Sequence, residues 1–163
     1  MGRSCQIYRQ SKVDSNLISE LPARIEQCFT NIGLKVSPEI HILDPPPKAY
    51  SKSRGQYKAG EVVDHCCRKA PGKICLYLLK DDAYNGDLNF VFGVAHRRHG
   101  CMVTLYRLNN DPDFVYKECV HELGHVFGLG HCRLPCVMTF SNSVAEAHMK
   151  NITFCPSCLS KLL

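Results

Sequence analysis

The chain has 163 residues, of which 45% are hydrophobic and 21% are charged, and this composition fits one globular domain. No apolar run approaches the roughly 18 residues of a membrane span, and the first ten residues lack the apolar core of a secretory signal peptide. The net charge of +5 comes from scattered basic residues, without the basic stripe and interleaved aromatics typical of nucleic-acid binding. We therefore expect a cytoplasmic protein with neither a nucleic-acid nor a membrane partner.

Hydrophobic patterning predicts that strands and helices alternate in the first two thirds of the chain. The predicted strands cover residues 5–9, 34–43, 74–79, 88–95 and 101–108, and the predicted helices cover residues 15–29, with a kink or restart at Pro22, and 59–68. The polar stretch 51–56 is expected to be a mobile loop. Helices between the early strands imply right-handed crossovers. We therefore expect an α/β (α+β) fold with a mostly parallel, twisted five-stranded sheet and one further helix packed beneath it.

The segment from His121 to His131 reads His-Glu-Leu-Gly-His-Val-Phe-Gly-Leu-Gly-His. Residues four apart lie on one face of a helix, about 6 Å apart, so His121 and His125 can bind one metal ion. Gly128 ends this helix by accepting a positive φ at little steric cost, and the redirected chain can bring His131 to the same ion. Glu122 lies beside the ion, where it can hold a water molecule at the fourth coordination position.

These residue types predict a zinc hydrolase. Neutral imidazoles leave zinc its full charge, which lowers the pKa of a bound water from about 15.7 towards about 7 and polarises a substrate carbonyl. The alternative is a helix that is merely rich in histidine. The added requirement for Gly128 and His131 makes a chance match on the order of one in ten thousand at this composition, so we favour the zinc site.

Four cysteines follow the histidine motif at the spacing of a second metal site. Three residues separate Cys132 from Cys136, two separate Cys155 from Cys158, and about twenty lie between the pairs. This spacing is typical of a closed, tetrahedral structural zinc site. The alternative is a pair of disulfides, but nothing in the sequence indicates an oxidising compartment. The sequence therefore predicts two zinc ions per chain, one catalytic and one structural.

The remaining cysteines and histidines are expected to be structural or exposed to solvent. In a reducing cell the other seven cysteines are most simply small buried hydrophobic residues: Cys5, Cys28, Cys66, Cys67, Cys75, Cys101 and Cys119. His96 and His99 are three residues apart, but two arginines lie between them, so we favour a solvated hairpin turn over a metal site. His41, His65 and His148 have no partner at ligand spacing.

The segment from Leu88 to Cys158 resembles the archaemetzincins, a branch of the metzincin metallopeptidases. The resemblance rests on the histidine motif, the four cysteines and the short stretches Phe90-Val-Phe-Gly93, Leu105-Tyr-Arg-Leu108, Lys117-Glu118, Cys136-Val-Met138, Phe140-Ser-Asn-Ser143 and Cys155-Pro-Ser-Cys158. It implies that the three histidines bind the catalytic zinc, that Glu122 is the general base and that the four cysteines bind the structural zinc. It also implies that Met138 is the residue of the Met-turn, an apolar floor beneath the imidazoles. One departure is visible, because the family pattern has four residues rather than three between the first two cysteines.

The resemblance further implies a metzincin-like mixed sheet in which strand 88–95 is the antiparallel edge above the cleft. We expect a single metallopeptidase domain with two lobes. Residues 1–128 would form the N-terminal lobe, with the sheet and the active-site helix. Residues 129–163 would form a small, zinc-stapled C-terminal lobe with the Met-turn and the four-cysteine site.

Together these features predict a zinc-dependent metallopeptidase that hydrolyses peptide bonds with a zinc-activated water, Glu122 acting as the general base. The expected partner is a peptide or protein substrate, and the expected state is a monomer. One alternative is hydrolysis of a non-peptide amide. Another is a zinc-stabilised protein that binds peptides or partners with little or no proteolysis. Glu122 argues against this last alternative, because a purely structural site has no use for a base beside an open position.

Overall fold

The computed structural model describes residues 3–162, which form two β-sheets and five α-helices. The strands are β1 (Arg3–Arg9), β2 (Leu34–Val36), β3 (His41–Ile42), β4 (Tyr50–Ser51), β5 (Gln56–Lys58), β6 (Ile74–Leu79), β7 (Ala83–Tyr84), β8 (Gly93–His96) and β9 (Gly100–Thr104). The helices are α1 (Leu21–Cys28), α2 (Ala59–Lys69), α3 (Pro112–Val126), α4 (Val144–Met149) and α5 (Pro156–Lys161). Short 3-10 helices cover Ser15–Ile18, Thr30–Ile32 and Pro47–Ala49. No helix within residues 3–162 is both long and apolar enough to cross a membrane.

The main sheet has the strand order β2-β1-β6-β9-β8, and β3 pairs with β1 further along the same strand. Every pair in it is parallel except β8 with β9, where Gly93 lies opposite Val103 and His96 lies opposite Gly100. This arrangement confirms the predicted mixed sheet with an antiparallel strand at its edge. A second, smaller sheet with the order β4-β5-β7 was not predicted.

The central strand β6 is buried on both faces, and its side chains divide the core into two layers. Leu76 and Leu78 belong to the layer that contains α1 and α3. Cys75, Tyr77 and Leu79 belong to the layer that contains α2. Since side chains alternate along a strand, one nearly continuous apolar run supplies both layers. The predicted position of the motif helix α3 beneath the sheet is therefore confirmed.

Two predicted elements are interrupted at prolines. The predicted strand 34–43 divides into β2 and β3, because Pro38 has no backbone N–H to donate to the neighbouring strand. Before this break, the N–H of Ser37 bonds to the carbonyl of Cys5 in β1. The predicted helix 15–29 divides into a 3-10 turn and α1, which carries Pro22 in its first turn. This confirms a restart at Pro22, where a missing N–H does not weaken the helix, because N–H groups of the first turn have no partner within the helix.

Two predicted strand boundaries around the cleft are wrong. The strand predicted at 88–95 begins only at Gly93, because Leu88 closes a turn and the N–H of Val91 bonds to Ala83 in the smaller sheet. The strand predicted at 101–108 ends at Thr104, and turns follow it. The stretch 51–56, which was predicted to be a mobile loop, spans a tight β4–β5 hairpin turn in which Ser51 pairs with Gln56.

A partly buried ionic network holds the smaller sheet to the chain that follows β9. The carboxylate of Asp82 accepts hydrogen bonds from both terminal nitrogens of Arg107, from Gln56 at 2.9 Å and from the N–H of Ala83 at 2.9 Å. Burial raises the pKa of Asp82, but the bonds from Arg107, Gln56 and Ala83 outweigh it, so the pKa is lowered overall. The network therefore stabilises the fold when Asp82 is ionised.

Asp82→Asn should lower the free energy of unfolding by about 1–3 kcal/mol at neutral pH, because the guanidinium of Arg107 loses its anionic partner. Since the folded pKa of Asp82 lies below the unfolded value of about 3.9, this contribution is complete above that pH and is lost as the pH falls further. Urea unfolding of the zinc-loaded protein measures the difference.

The control for this measurement is Lys12→Met, which breaks the neighbouring Lys12–Asp81 pair, whose lysine side chain is 53% exposed. Exposed pairs contribute at most about 1 kcal/mol, so its loss should be smaller. Equal losses in the two variants would show that the buried network has no special part in stability.

Candidate active site

Helix α3 carries two of the motif histidines and is buried along most of its length. It begins at Pro112, where the carboxylate of Asp111 caps the N–H of Asp113. It ends before Gly128, whose φ of 100° lies in the region that favours glycine. The N–H of Gly128 bonds to the carbonyl of His125, and the chain then turns towards His131.

The imidazoles of His121, His125 and His131 lie together at one wall of a cleft. Their ring centroids are 4.8 to 5.6 Å apart, and the Nε2 atoms of His121 and His125 are 3.2 Å apart. Nδ1 of His121 lies 2.8 Å from the carbonyl oxygen of Val137, and Nδ1 of His125 lies 2.8 Å from that of Leu129. A carbonyl only accepts, so each Nδ1 carries the proton and each Nε2 presents its lone pair.

The environment keeps these rings neutral. Burial and the nearby Lys150 lower the pKa of His121 to about 3. Burial likewise lowers the pKa of His125 and of His131. Zinc–nitrogen bonds of about 2.0–2.1 Å in a tetrahedral site place ligand nitrogens about 3.3 Å apart, close to the spacing between His121 and His125. The three histidines therefore fit zinc in charge, and His121 and His125 also fit it in tautomer and spacing.

Glu122 lies beside these histidines and is 7% exposed. Burial, followed by the negative charge of Glu118, raises the pKa of Glu122 to about 8. Gly93 of β8 makes room for this carboxylate, because a methyl group there would lie 2.8 Å from Cγ of Glu122 and 2.5 Å from the carbonyl of Met102. The sheet edge and the motif helix can approach each other only with glycine at this position.

The cleft beside the histidines has a volume of about 500 Å³. Residues Gly93 to Ala95 of β8 line one side of it, and Phe140 and Lys150 line it from the chain after the motif. Among the described residues 3–162, β8 pairs along one edge, with β9, and its other edge has no strand partner. The cleft thus brings together an unpaired strand edge, three neutral imidazoles and a buried carboxylate.

The four cysteines after the motif also lie together. Sγ of Cys132 is 3.8 Å from Sγ of Cys155, and all four sulfur atoms lie within 4.8 Å of one another. Zinc–sulfur bonds of about 2.3 Å in a tetrahedron put sulfurs about 3.8 Å apart, whereas a disulfide needs about 2.05 Å. Backbone N–H groups of Met138 and Cys155 point at Sγ of Cys136. The four cysteines fit a closed zinc site rather than a pair of disulfides.

Met138 lies fully buried beneath the motif helix. A methyl group added to Gly124 would lie 2.5 Å from Sδ of Met138, so Gly124 allows the sulfur to touch the helix. The carbonyl of Met138 accepts the N–H of Cys132 at 2.9 Å. One residue therefore contacts the helix of His121 and His125 and holds the loop of the cysteine cluster.

Sequence reasoning missed a buried ion pair at the back of the cleft. Nζ of Lys150 lies 2.8 Å from the carboxylate of Glu118, and both side chains are 4% exposed. The same Nζ lies 3.3 Å from Nδ1 of His121. Glu118 was noticed only as part of the family resemblance, and Lys150 has no local motif, so only the tertiary structure reveals their pairing.

The other histidines lie outside both clusters. Nδ1 of His96 lies 3.1 Å from the carboxylate of Asp64. His99 lies in the β8–β9 turn, as the predicted hairpin turn at this segment requires. His41 contacts the ring of Tyr8, and His148 contacts Phe114. Within residues 3–162, side chains that could hold a metal ion form two groups, the three histidines and the four cysteines.

Comparison with known proteins agrees with this arrangement. The model of peptidase family M54 matches residues 48–163. The archaemetzincin of Archaeoglobus fulgidus is 38% identical over 164 residues, covering 96% of this chain and 98% of the relative. The archaemetzincin of Nanoarchaeum equitans is 40% identical over 121 residues, covering 74% of this chain and 71% of the relative.

Two solved structures have the same fold over almost the whole chain. The crystal structure of archaemetzincin from Methanopyrus kandleri matches with a TM-score of 0.85 and 32% identity, covering 98% of this chain and 92% of that one. The archaemetzincin of Archaeoglobus fulgidus, complexed with malonate, matches with a TM-score of 0.82 and 34% identity, covering 98% and 99%. The chain therefore belongs to peptidase family M54, the archaemetzincins, and is a zinc metallopeptidase that acts on peptide or protein substrates.

Proposed function

We propose that the chain hydrolyses peptide bonds with His121, His125 and His131 as the ligands of a catalytic zinc and Glu122 as the general base. The observation that carries this proposal is the convergence of three neutral imidazoles beside a buried carboxylate in one cleft. When bound, zinc supplies a Lewis acid that lowers the pKa of a water molecule and polarises the substrate carbonyl.

The residues of the chain have separate tasks in this reaction. A carboxylate oxygen of Glu122 takes a proton from the attacking water and later gives it to the leaving amide nitrogen. Burial of Glu122 favours this exchange, because desolvation makes the carboxylate a stronger base. The open edge of β8 orients an extended substrate by main-chain hydrogen bonds, as unpaired strand edges do.

We also propose a structural zinc on Cys132, Cys136, Cys155 and Cys158, which makes two zinc ions per chain. The tetrahedral spacing of the sulfurs and the N–H groups that point at them support this assignment. Four thiolates leave no open coordination position, so this ion takes no part in the reaction.

The chain is proposed to be one domain with two lobes, residues 1–128 and residues 129–163. The contacts of Met138 and the bond from Lys117 to the carbonyl of His148 support close packing between them. A cytoplasmic location and a monomeric state remain predictions. The alternatives of a non-peptide amidase and of a zinc-stabilised binding protein are not favoured, given the family and the buried carboxylate.

Glu122→Gln should leave the zinc content and the fold unchanged and reduce kcat by about 10²-fold to 10⁴-fold, because the amide fills the same space but accepts no proton. Turnover of a peptide library, followed by mass spectrometry with zinc content measured in parallel, tests this. Glu39→Gln removes an exposed carboxylate and should retain full activity. A Glu122→Gln variant as fast as the parent would disprove the assigned base.

Metal analysis should find two zinc ions per chain with different lability. The histidine-bound ion should be the easier one to remove with a chelator, because it has an open position and neutral ligands. Replacing His121, His125 and His131 together by alanine should leave one zinc and no activity. If the triple variant keeps two zinc ions, the histidines are not a metal site.

Cys158→Ser should reduce catalysis although Cys158 lies outside the cleft. Loss of the thiolate-bound zinc frees the chain around Cys132, in which Leu129 and Val137 supply the carbonyls that hold the histidines and Met138 forms the floor beneath them. Zinc content and peptide turnover should be measured in the same sample. Cys28→Ser changes a cysteine outside the cluster and is the control. Full turnover with only one zinc bound would show that the two sites are independent.

A further inference from the structure

A second cavity, of about 480 Å³, shares no lining residue with the active-site cleft. It is lined by the start of β1, the residues before β6, the β8–β9 turn and the C-terminal end of α3. Four of its lining residues carry a positive charge at neutral pH: Arg3, Lys73, Arg97 and Arg98. None of the lining residues in the described part of the chain is acidic.

The end of α3 explains only part of this basic charge. Helix C-termini carry about half a negative charge and attract cations. Nη2 of Arg97 donates to the carbonyl of Gly128, and the backbone N–H of Arg98 donates to the carbonyl of Val126. These bonds account for the side chain of Arg97 and for the backbone of Arg98. Within residues 3–162, the side chains of Lys73 and Arg98 are exposed and have no hydrogen-bond partner.

Cationic side chains around one cavity create a local positive potential that attracts an anion. Within residues 3–162, neither Lys73 nor Arg98 takes part in an ion pair. Arg3 lies over the ring of Phe127, 5.3 Å from its centroid, which places a guanidinium on the cavity wall. His99 and Ser4 add polar side chains to the same lining. The cavity is therefore a concentration of hydrogen-bond donors and positive charge.

We propose that this cavity binds a small polyphosphate anion, either an inorganic polyphosphate chain or the phosphate groups of a nucleotide. Guanidinium groups match phosphate oxygens in geometry, and lysine adds a point charge. The volume lies in the range of about 300–1,000 Å³ that is common for small-ligand sites. Four cations around one cavity match a dense anion better than the single charge of a carboxylate.

The same observations favour a compact anion over a nucleic acid. A polymer needs a basic track along the surface, often with aromatics that stack on the bases. Here the basic residues converge on one cavity, and the basic residues elsewhere in the chain are scattered. Binding of a nucleic acid is therefore a contrary outcome of the test.

The proposal is tested by titrating the zinc-loaded, ¹⁵N-labelled protein with tripolyphosphate at physiological ionic strength while following backbone amide shifts. We expect saturable shifts confined to residues 72–74, 97–99 and 126–128, with a dissociation constant of about 1 mM or tighter. The zinc content is measured after the titration, because polyphosphates chelate metals. Shifts that track zinc loss, or no saturable shifts, would overturn the proposal.

The variant K73Q/R98N removes two cavity charges and should weaken binding at least about tenfold. Asparagine suits position 98, because Arg98 has a φ of 70° and asparagine adopts this conformation more readily than most residues. The control K48Q/K52Q removes two exposed charges outside the cavity lining. Equal weakening in both variants would mean general charge attraction and would contradict the site.

Two further arms identify the source of the phosphate groups. ATP that binds more tightly than tripolyphosphate, with larger shifts at Ile74 than tripolyphosphate produces, would assign a nucleotide. Equal affinities would assign the polyphosphate chain alone, and both results support the proposal. A short DNA duplex that shifts these residues while tripolyphosphate and ATP do not would refute it.

Discussion

The imidazoles of His121 and His125 donate hydrogen bonds to the carbonyls of Val137 and Leu129, and the chemistry of the cleft depends on these two bonds. They select the tautomer that turns each Nε2 towards the cleft. Both carbonyls belong to the segment that follows the helix rather than to the helix itself. The geometry of the ligands therefore depends on how the chain after Gly128 is held.

That segment is held from two directions. The segment contains Cys132 and Cys136 of the cysteine cluster, and the carbonyl of Met138 accepts a bond from the N–H of Cys132. The side chain of Met138 in turn packs against Gly124 of the helix. If the cluster holds zinc as proposed, the ion acts as a brace for the backbone that orients the histidines, without contact with the substrate.

Sequence patterns predicted the features that depend on local spacing. The continuous apolar run of β6 and the four-residue spacing of His121 and His125 are each set within one element, so they can be read from the chain. The strand at 88–95 was placed correctly at the edge, but its start was wrong, because Val91 bonds to Ala83, a residue close only in the tertiary structure. The Glu118–Lys150 pair was missed for the same reason.

The edge strand β8 has only four residues, and it forms one wall of the cleft whose other side includes Phe140 and Lys150. An isolated, extended chain can enter such a slot, whereas a strand that is already part of a folded sheet brings neighbours that would collide with the opposite wall. The proposed binding of substrate along β8 therefore favours termini, loops and unfolded segments over strands that already belong to a folded sheet.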